Sequence, residues 1–332
     1  MSLLQAGSGA LRPVVIGVDV GGTKVMAAEV AIDGSVSRVA HRATPGRRVD
    51  VALLEDALSE AVHEVADGRR VAGVGLAAAG FVDAAGERVA FAPHLPWRGH
   101  QVRARLTDRW GVPVFLDNDA NCVARAESAH GSAMGAADAV VLTLGTGIGG
   151  AVVVGGVLHR GRNGMAGEFG HTRVVPGGRD CECGGRGCWE QYCSGNALVR
   201  AARAGLGPDG PLAAACGGDP AALTGPMVTE AARAGDPAAL AAYAEIGEWL
   251  GLGVANLVAG LDPSVVVVGG GVSAAGDLLL EPAREALGRS LVGAQHRVVP
   301  PLLRARYGPE AGVVGAADLV REGLGRHARP RG

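Results

Sequence analysis

Two stretches, one in each half of the chain, share a pattern: an apolar run, a glycine-rich turn and a second apolar run. The first is VVIGVDV (14–20), then Gly21-Gly22-Thr23, then VMAAEVAI (25–32). The second is AVVLTLG (139–145), a turn GTGIG, then GGAVVVGGVL (149–158). Apolar runs of this length read as buried strands, and a turn between two of them makes a hairpin. A chain that starts the same hairpin twice, with helical periods between, is expected to build two α/β lobes facing each other. A cleft between lobes is a preferred ligand site.

The rest of the pattern fills in those lobes. Asp33-Gly34 signals a hairpin into SVSRVAHRA (35–43), which makes a three-strand meander. Helical spacing of Val51, Leu54, Leu58, Val62 and Val65 places a helix over 50–67. VAGVGLAAA (71–79) reads as a buried strand, 99–110 as a helix, VPVFL (112–116) as a strand, and 117–131 as a helix opening on a polar cluster. Further helices are expected near 195–205, 226–234, 237–261 and 277–292, with strands at 265–271 and 299–306 and a closing helix at 310–325. The expected organisation is a loose tail (1–12), an N-terminal lobe (13–134) on which the closing helix packs back, and a C-terminal lobe (135–309) carrying the oligomerisation surface.

Composition excludes several classes. Of 332 residues, 48% are apolar, enough for sizeable cores, and the net charge of −2 shows no basic surplus for nucleic acid. The start MSLLQAGSGALRP lacks the charged lead and apolar run of a signal peptide. No apolar stretch of about 18 residues free of charge or helix breakers stands out as a membrane span. A cytoplasmic protein without nucleic-acid or membrane partners is expected. Lysine occurs once, as Lys24, at the end of the first glycine turn.

Three glycine clusters are candidate nucleotide contacts. Gly21, Gly22 and Thr23 offer backbone N–H groups and a hydroxyl to an anion, and Lys24 adds a point charge. Asp19, at the end of the preceding strand, is suited to holding Mg²⁺ through waters. Gly145, Thr146, Gly147 and Gly149 repeat that chemistry. Gly269, Gly270 and Gly271 follow a strand and leave bare backbone for a flat adenine. None of the three matches a P-loop or dinucleotide fingerprint, and their weight comes from occurring together.

Four of the six cysteines fall between 181 and 193. His171 with Cys181, Cys183 and Cys188 makes a closed tetrahedral zinc set with no open position for water, so the metal is expected to be structural. Cys122, Cys193 and Cys216 lie outside the pattern and are expected in the core. The metal loop draws Glu168, His171 and Glu190 into one region, where carboxylates suit recognition of sugar hydroxyls. Asp117-Asn118-Asp119 ends a strand; one member is expected to cap the helix, and another to serve as a general base. Spacing does not say which.

Together, DVGGTK (19–24), GFVD (80–83), DNDAN (117–121), LGTGIGG (144–150), GEFGH (167–171), CECGGRGCWEQYCSG (181–195) and VVVGGGVS (266–273) resemble the ROK family of repressors, open reading frames and kinases. Within it the resemblance is to ATP-dependent glucokinases of the actinobacterial type. It covers about residues 13 to 325. It implies an actin-like ATPase (ribonuclease H-like) fold of two lobes with a hinged cleft, and phosphoryl transfer from ATP to glucose. It implies Asp119 as base, and Gly80, Asn118, Asp119, Glu168, His171 and Glu190 as sugar contacts. It also implies Mg²⁺ beside Asp19, the turns at 21–24 and 145–149 near the phosphates, the zinc ligands given above, and a homodimer or homotetramer. The family's repressors carry a helix-turn-helix domain ahead of the kinase-like part; only about 12 residues precede the first strand here, so a repressor is not expected. Other expected alternatives are a kinase for another hexose or N-acetylmannosamine, a sugar sensor without catalysis, and, disfavoured, a polyphosphate-using enzyme.

Overall fold

The computed structural model describes residues 13–327, so the expected tail at 1–12 lies outside the described residues. The chain divides into two compact units. The first holds residues up to 135, a returning segment 157–166 and the chain end from 309; the second holds 136–156 and 167–308.

The first unit is built on β1 (Val14–Val20), β2 (Lys24–Val30), β3 (Val36–Ala43), β4 (Val71–Ala78) and β8 (Val114–Asn118), in the sheet order β3-β2-β1-β4-β8. β2 runs antiparallel to β1 and β3, whereas β4 and β8 continue parallel. The inner strands read as unbroken apolar runs because helices cover both faces. α1 (Val51–Ala66) turns Leu54, Leu58, Val62 and Val65 inward; Asp50 caps its start by accepting from the Ala52 N–H at 2.8 Å. α9 (Ala311–His327) lies so close to the sheet that a Cβ at Gly17 or Gly75 would strike the Val313 or Ala316 carbonyl. Here the strand glycines make room for a helix backbone.

Residues 81–100 form a small sheet absent from the sequence-based expectation: β5 (Phe81–Val82), β6 (Val89–Phe91) and β7 (Arg98–His100), in that order. Its last strand delays α2, expected from 99, to Val102–Trp110. β8 also differs. It runs on through Asp117 and Asn118, which pair with Ala77 and Ala78, so α3 spans Asp119–His130 and not 117–131. The second chain segment of this unit opens with β11 (Val157–His159).

The second unit repeats the strand plan. β10 (Ile148–Val154) is antiparallel to β9 (Ala139–Leu144), and β12 (Val265–Gly269) and β13 (Leu302–Arg304) follow in parallel, just as β2, β1, β4 and β8 do. The strand expected over 299–306 shrinks to β13 because prolines occupy 300 and 301. Helices α4 (Gly195–Ala204), α5 (Pro211–Ala215), α6 (Gly225–Arg233), α7 (Pro237–Leu261) and α8 (Asp277–Ser290) bury Trp189, Tyr243 and Leu250 against this sheet. α7 starts at Pro237 and is capped by Asp236, which accepts from the Ala238 and Ala239 N–H groups. No helix among the described residues is long and apolar enough to cross a membrane.

Candidate active site

In the first unit, the β1–β2 turn leaves Gly21 and Gly22 half-buried and Thr23 and Lys24 exposed. The Gly21 N–H donates to the Lys24 carbonyl at 3.0 Å, and the Thr44 hydroxyl to the Gly21 carbonyl at 2.7 Å, which pins the turn from outside. A Cβ at Gly22 would lie 2.6 Å from that of His94, so the turn is packed against the loop before Trp97. His94 carries no sequence motif that would have placed it there.

Asp19 lies one residue before the end of β1, and its carboxyl is pushed up to about 7 by burial and by the Asp119 carboxylate, while Lys24 draws it down. A Cβ at Gly312 near the start of α9 would lie 2.6 Å from Asp19 Oδ2. Asp19, Lys24 and Asp119 thus share one electrostatic neighbourhood, in which two carboxylates oppose one ammonium. Such a set accepts a cation: nearby positive charge is what lets both carboxyls ionise.

Asp119 is the first residue of α3. Asn118 caps the helix, its Oδ1 accepting from the Asn121 N–H at 3.2 Å. The two donors of the Asn118 amide go to the Gly80 carbonyl at 3.0 Å and to Asp119 Oδ1 at 2.8 Å. Gly80 therefore serves through its carbonyl, and Asn118 orients the carboxylate beside it. Burial raises the Asp119 carboxyl above its ordinary value, against the pull of the Ala120 and Asp119 N–H groups and the Asn118 amide.

In the second unit, the β9–β10 turn is closed by the Gly145 N–H donating to the Gly147 carbonyl at 3.0 Å, and the Gly145 carbonyl accepts from the Gly195 N–H at 2.7 Å. Gly145 and Thr146 are exposed. Gly270 has φ 82°, a conformation natural to glycine, and a Cβ there would lie 2.5 Å from the Leu144 carbonyl. Gly270 and Gly271 are exposed, so bare backbone is presented after β12, close to the second turn.

The His171, Cys181, Cys183 and Cys188 donor atoms lie within 4.8 Å of one another. A tetrahedral zinc with sulfur at about 2.3 Å has edges of about 3.8 Å. Cys183 Sγ and Cys188 Sγ are 3.6 Å apart, and Cys181 Sγ is 3.7 Å from His171 Nδ1. The set fits zinc, with Nδ1 as the imidazole donor. Gly187, at φ 77°, lets the loop turn under Val175, where a Cβ would meet the carbonyl. Burial with Glu190 alongside pushes the Cys181 thiol up to about 12, whereas the Gly185 N–H pulls Cys183 down. A divalent cation is the group that would make all three thiolates.

Glu190 Oε1 lies 3.2 Å from Cys181 Sγ, and Oε2 accepts a long hydrogen bond, 3.4 Å, from the Ile148 N–H. The carboxylate thus joins the metal loop to the second glycine turn, a link invisible in the sequence. On the far side of the ring, His171 Nε2 faces Glu168 Oε2 at 4.0 Å. Glu168, His171 and Glu190 are brought together as the loop spacing implied. Cys122, Cys193 and Cys216 are buried, as expected of core residues.

Comparison with known proteins bears on this arrangement. Residues 15–323 match the ROK family model. The glucokinase of Streptomyces coelicolor is 42% identical over 311 residues, 92% of this chain and 97% of its own length. The glucokinase of Thermotoga maritima is 35% identical over 317 residues, 94% of this chain and 98% of its own. The crystal structure of a ROK family glucokinase from Streptomyces griseus, in complex with glucose and AMPPNP, matches with a TM-score of 0.86 at 43% identity, covering 93% of this chain and 99% of that one. The doubled strand plan is that of the actin-like ATPase fold. With a family model matched across both units and relatives 42% and 35% identical over nearly the whole chain, the chain belongs to the ROK family.

Proposed function

We infer that the chain is an ATP-dependent glucokinase, which transfers the γ-phosphoryl group of ATP to the 6-hydroxyl of glucose. The observation that carries this is likeness over nearly the whole length, at 42% identity, to a glucokinase, joined to likeness in structure to a glucokinase crystallised with glucose and AMPPNP.

The chemistry follows from Asp119. As general base it accepts the proton of the 6-hydroxyl while that oxygen bonds to the γ-phosphorus. The bond to the β,γ-bridging oxygen breaks and ADP leaves. Asn118 holds the carboxylate toward its task, and a helix N-terminus keeps the charged form accessible despite burial. The turn N–H groups of Gly22, Thr23, Thr146 and Gly147, with Lys24, are suited to the phosphates, Gly21 and Gly145 keep the turns in shape by donating within them, Gly149 follows in β10, and Gly269–Gly271 are suited to the adenine. Mg²⁺ bound with ATP beside Asp19 would neutralise phosphate charge. Glu168, His171 and Glu190 offer acceptors and one ring nitrogen to the sugar hydroxyls, and zinc would fix their loop through His171, Cys181, Cys183 and Cys188. We further place the enzyme in the cytoplasm as a homodimer or homotetramer.

A coupled assay of ADP release with ATP and glucose tests the reading. Turnover that depends on both substrates is expected. Glucose binding without turnover would instead make the protein a sugar sensor.

A further inference from the structure

We propose that Asp117, clamped by Arg125 and Arg160, is a positioning residue that sets the corner carrying Asn118 and Asp119. Asp117 is the penultimate residue of β8, with its side chain 1% exposed. Its Oδ1 accepts from the Asn118 N–H at 2.9 Å and from Asn121 Nδ2 at 2.9 Å. Both bonds fall on the strand-to-helix corner itself. Its Oδ2 pairs with Arg160, and Arg125 Nη2 stands 3.5 Å from it. Arg125 also pairs with Glu322 on α9, so two acids and two guanidiniums balance. Arg160 Nη1 adds a bond of 3.3 Å to the Ala84 carbonyl.

A buried ion pair is costly to desolvate and is weak support for stability. What this one does is fix a direction. Asp117 holds the Asn118 N–H and the Asn121 side-chain amide, the Asn121 main-chain N–H donates to Asn118 Oδ1, and the Asn118 side-chain amide donates to Asp119 Oδ1. A displacement of Asp117 therefore reaches the base through two short links. Misplacement of a reacting group by about 1 Å can cost about 10²-fold in rate. Arg160 is the clamp's outer member and precedes Glu168 closely in the chain, so one short segment carries both the clamp and a sugar contact.

The proposal rests on the glucokinase reading, which wild-type turnover tests by itself. Arg160→Ala is the variant of choice because Arg160 is partly exposed, its side chain 21% accessible. It should lower kcat about 10- to 100-fold with the glucose KM changed less than about threefold. Added to Asp119→Asn, it should lower kcat by less than about a further threefold, because its effect runs through the base. Should the alanine variant fail to fold, Arg160→Gln serves with the same two readouts. A kcat within threefold of wild type, a loss confined to KM, or a loss that multiplies fully onto Asp119→Asn would each overturn the proposal. Absence of wild-type turnover would overturn the glucokinase reading instead.

Discussion

The proposed base, Asp119, is not singled out by residue type alone, since three polar residues stand side by side at that corner. Its distinction is position: first in α3, tied to Asn118, raised by burial and close enough to Asp19 for the two to repel. Asp119→Asn should keep the shape, spare glucose binding and lower kcat by about 10²- to 10⁴-fold. A loss of less than tenfold would assign the base elsewhere. A base acts in its ionised form, so kcat/KM should rise with pH through the Asp119 ionisation. The raised carboxyl places that acid limb above the ordinary aspartate value of 3.8, and Asp119→Asn should remove it. The sequence pointed to the Asp-Asn-Asp cluster but not to the division of labour within it. That division depends on β8 running two residues further than its apolar run, through Asp117 and Asn118. Arg160 and His94 were illegible for another reason: each meets its partner across the fold, with no spacing to announce it.

At the scale of elements, the metal loop and the last helix make separate demands. The loop has little apolar content of its own, and its shape depends on four side chains converging within 4.8 Å. One zinc per chain should be found by metal analysis of protein purified without chelator. Cys188→Ala should lose it, melt at lower temperature and bind glucose more weakly, since Glu190 and His171 stand on the same loop. A metal-free wild type of full activity would refute the zinc reading. α9 makes the opposite demand, for empty space. Gly75→Ala should cost about 1–3 kcal/mol in chemical denaturation, because the new methyl meets the Ala316 carbonyl and helix backbone does not yield. An unchanged midpoint would mean that α9 does not sit as described. The cysteine and histidine spacing announced the loop in advance. The glycines of β1 and β4 announced nothing, since a glycine inside an apolar run looks the same whether or not a helix crosses it. The small sheet at 81–100 was hidden because its strands are two or three residues long and lack any alternating run.

For the whole molecule, the doubled hairpin with glycine turn was the legible feature, and both units share the strand plan that follows from it. Its repetition is what the proposed phosphate-binding role of the two turns rests on. Substrate choice is less legible. Asn118, Glu168, His171 and Glu190 suit many sugars, and the preference for glucose comes from likeness to glucokinases over 92% of the chain. A site that hydrogen-bonds hydroxyls rejects sugars that leave its buried groups unpaired. The most direct test is kcat/KM for glucose, mannose, fructose and N-acetylmannosamine at saturating ATP, with the product identified. The account predicts glucose 6-phosphate and a clear preference for glucose. Equal efficiency with any of the other three, or no phosphoryl transfer to glucose, would contradict it.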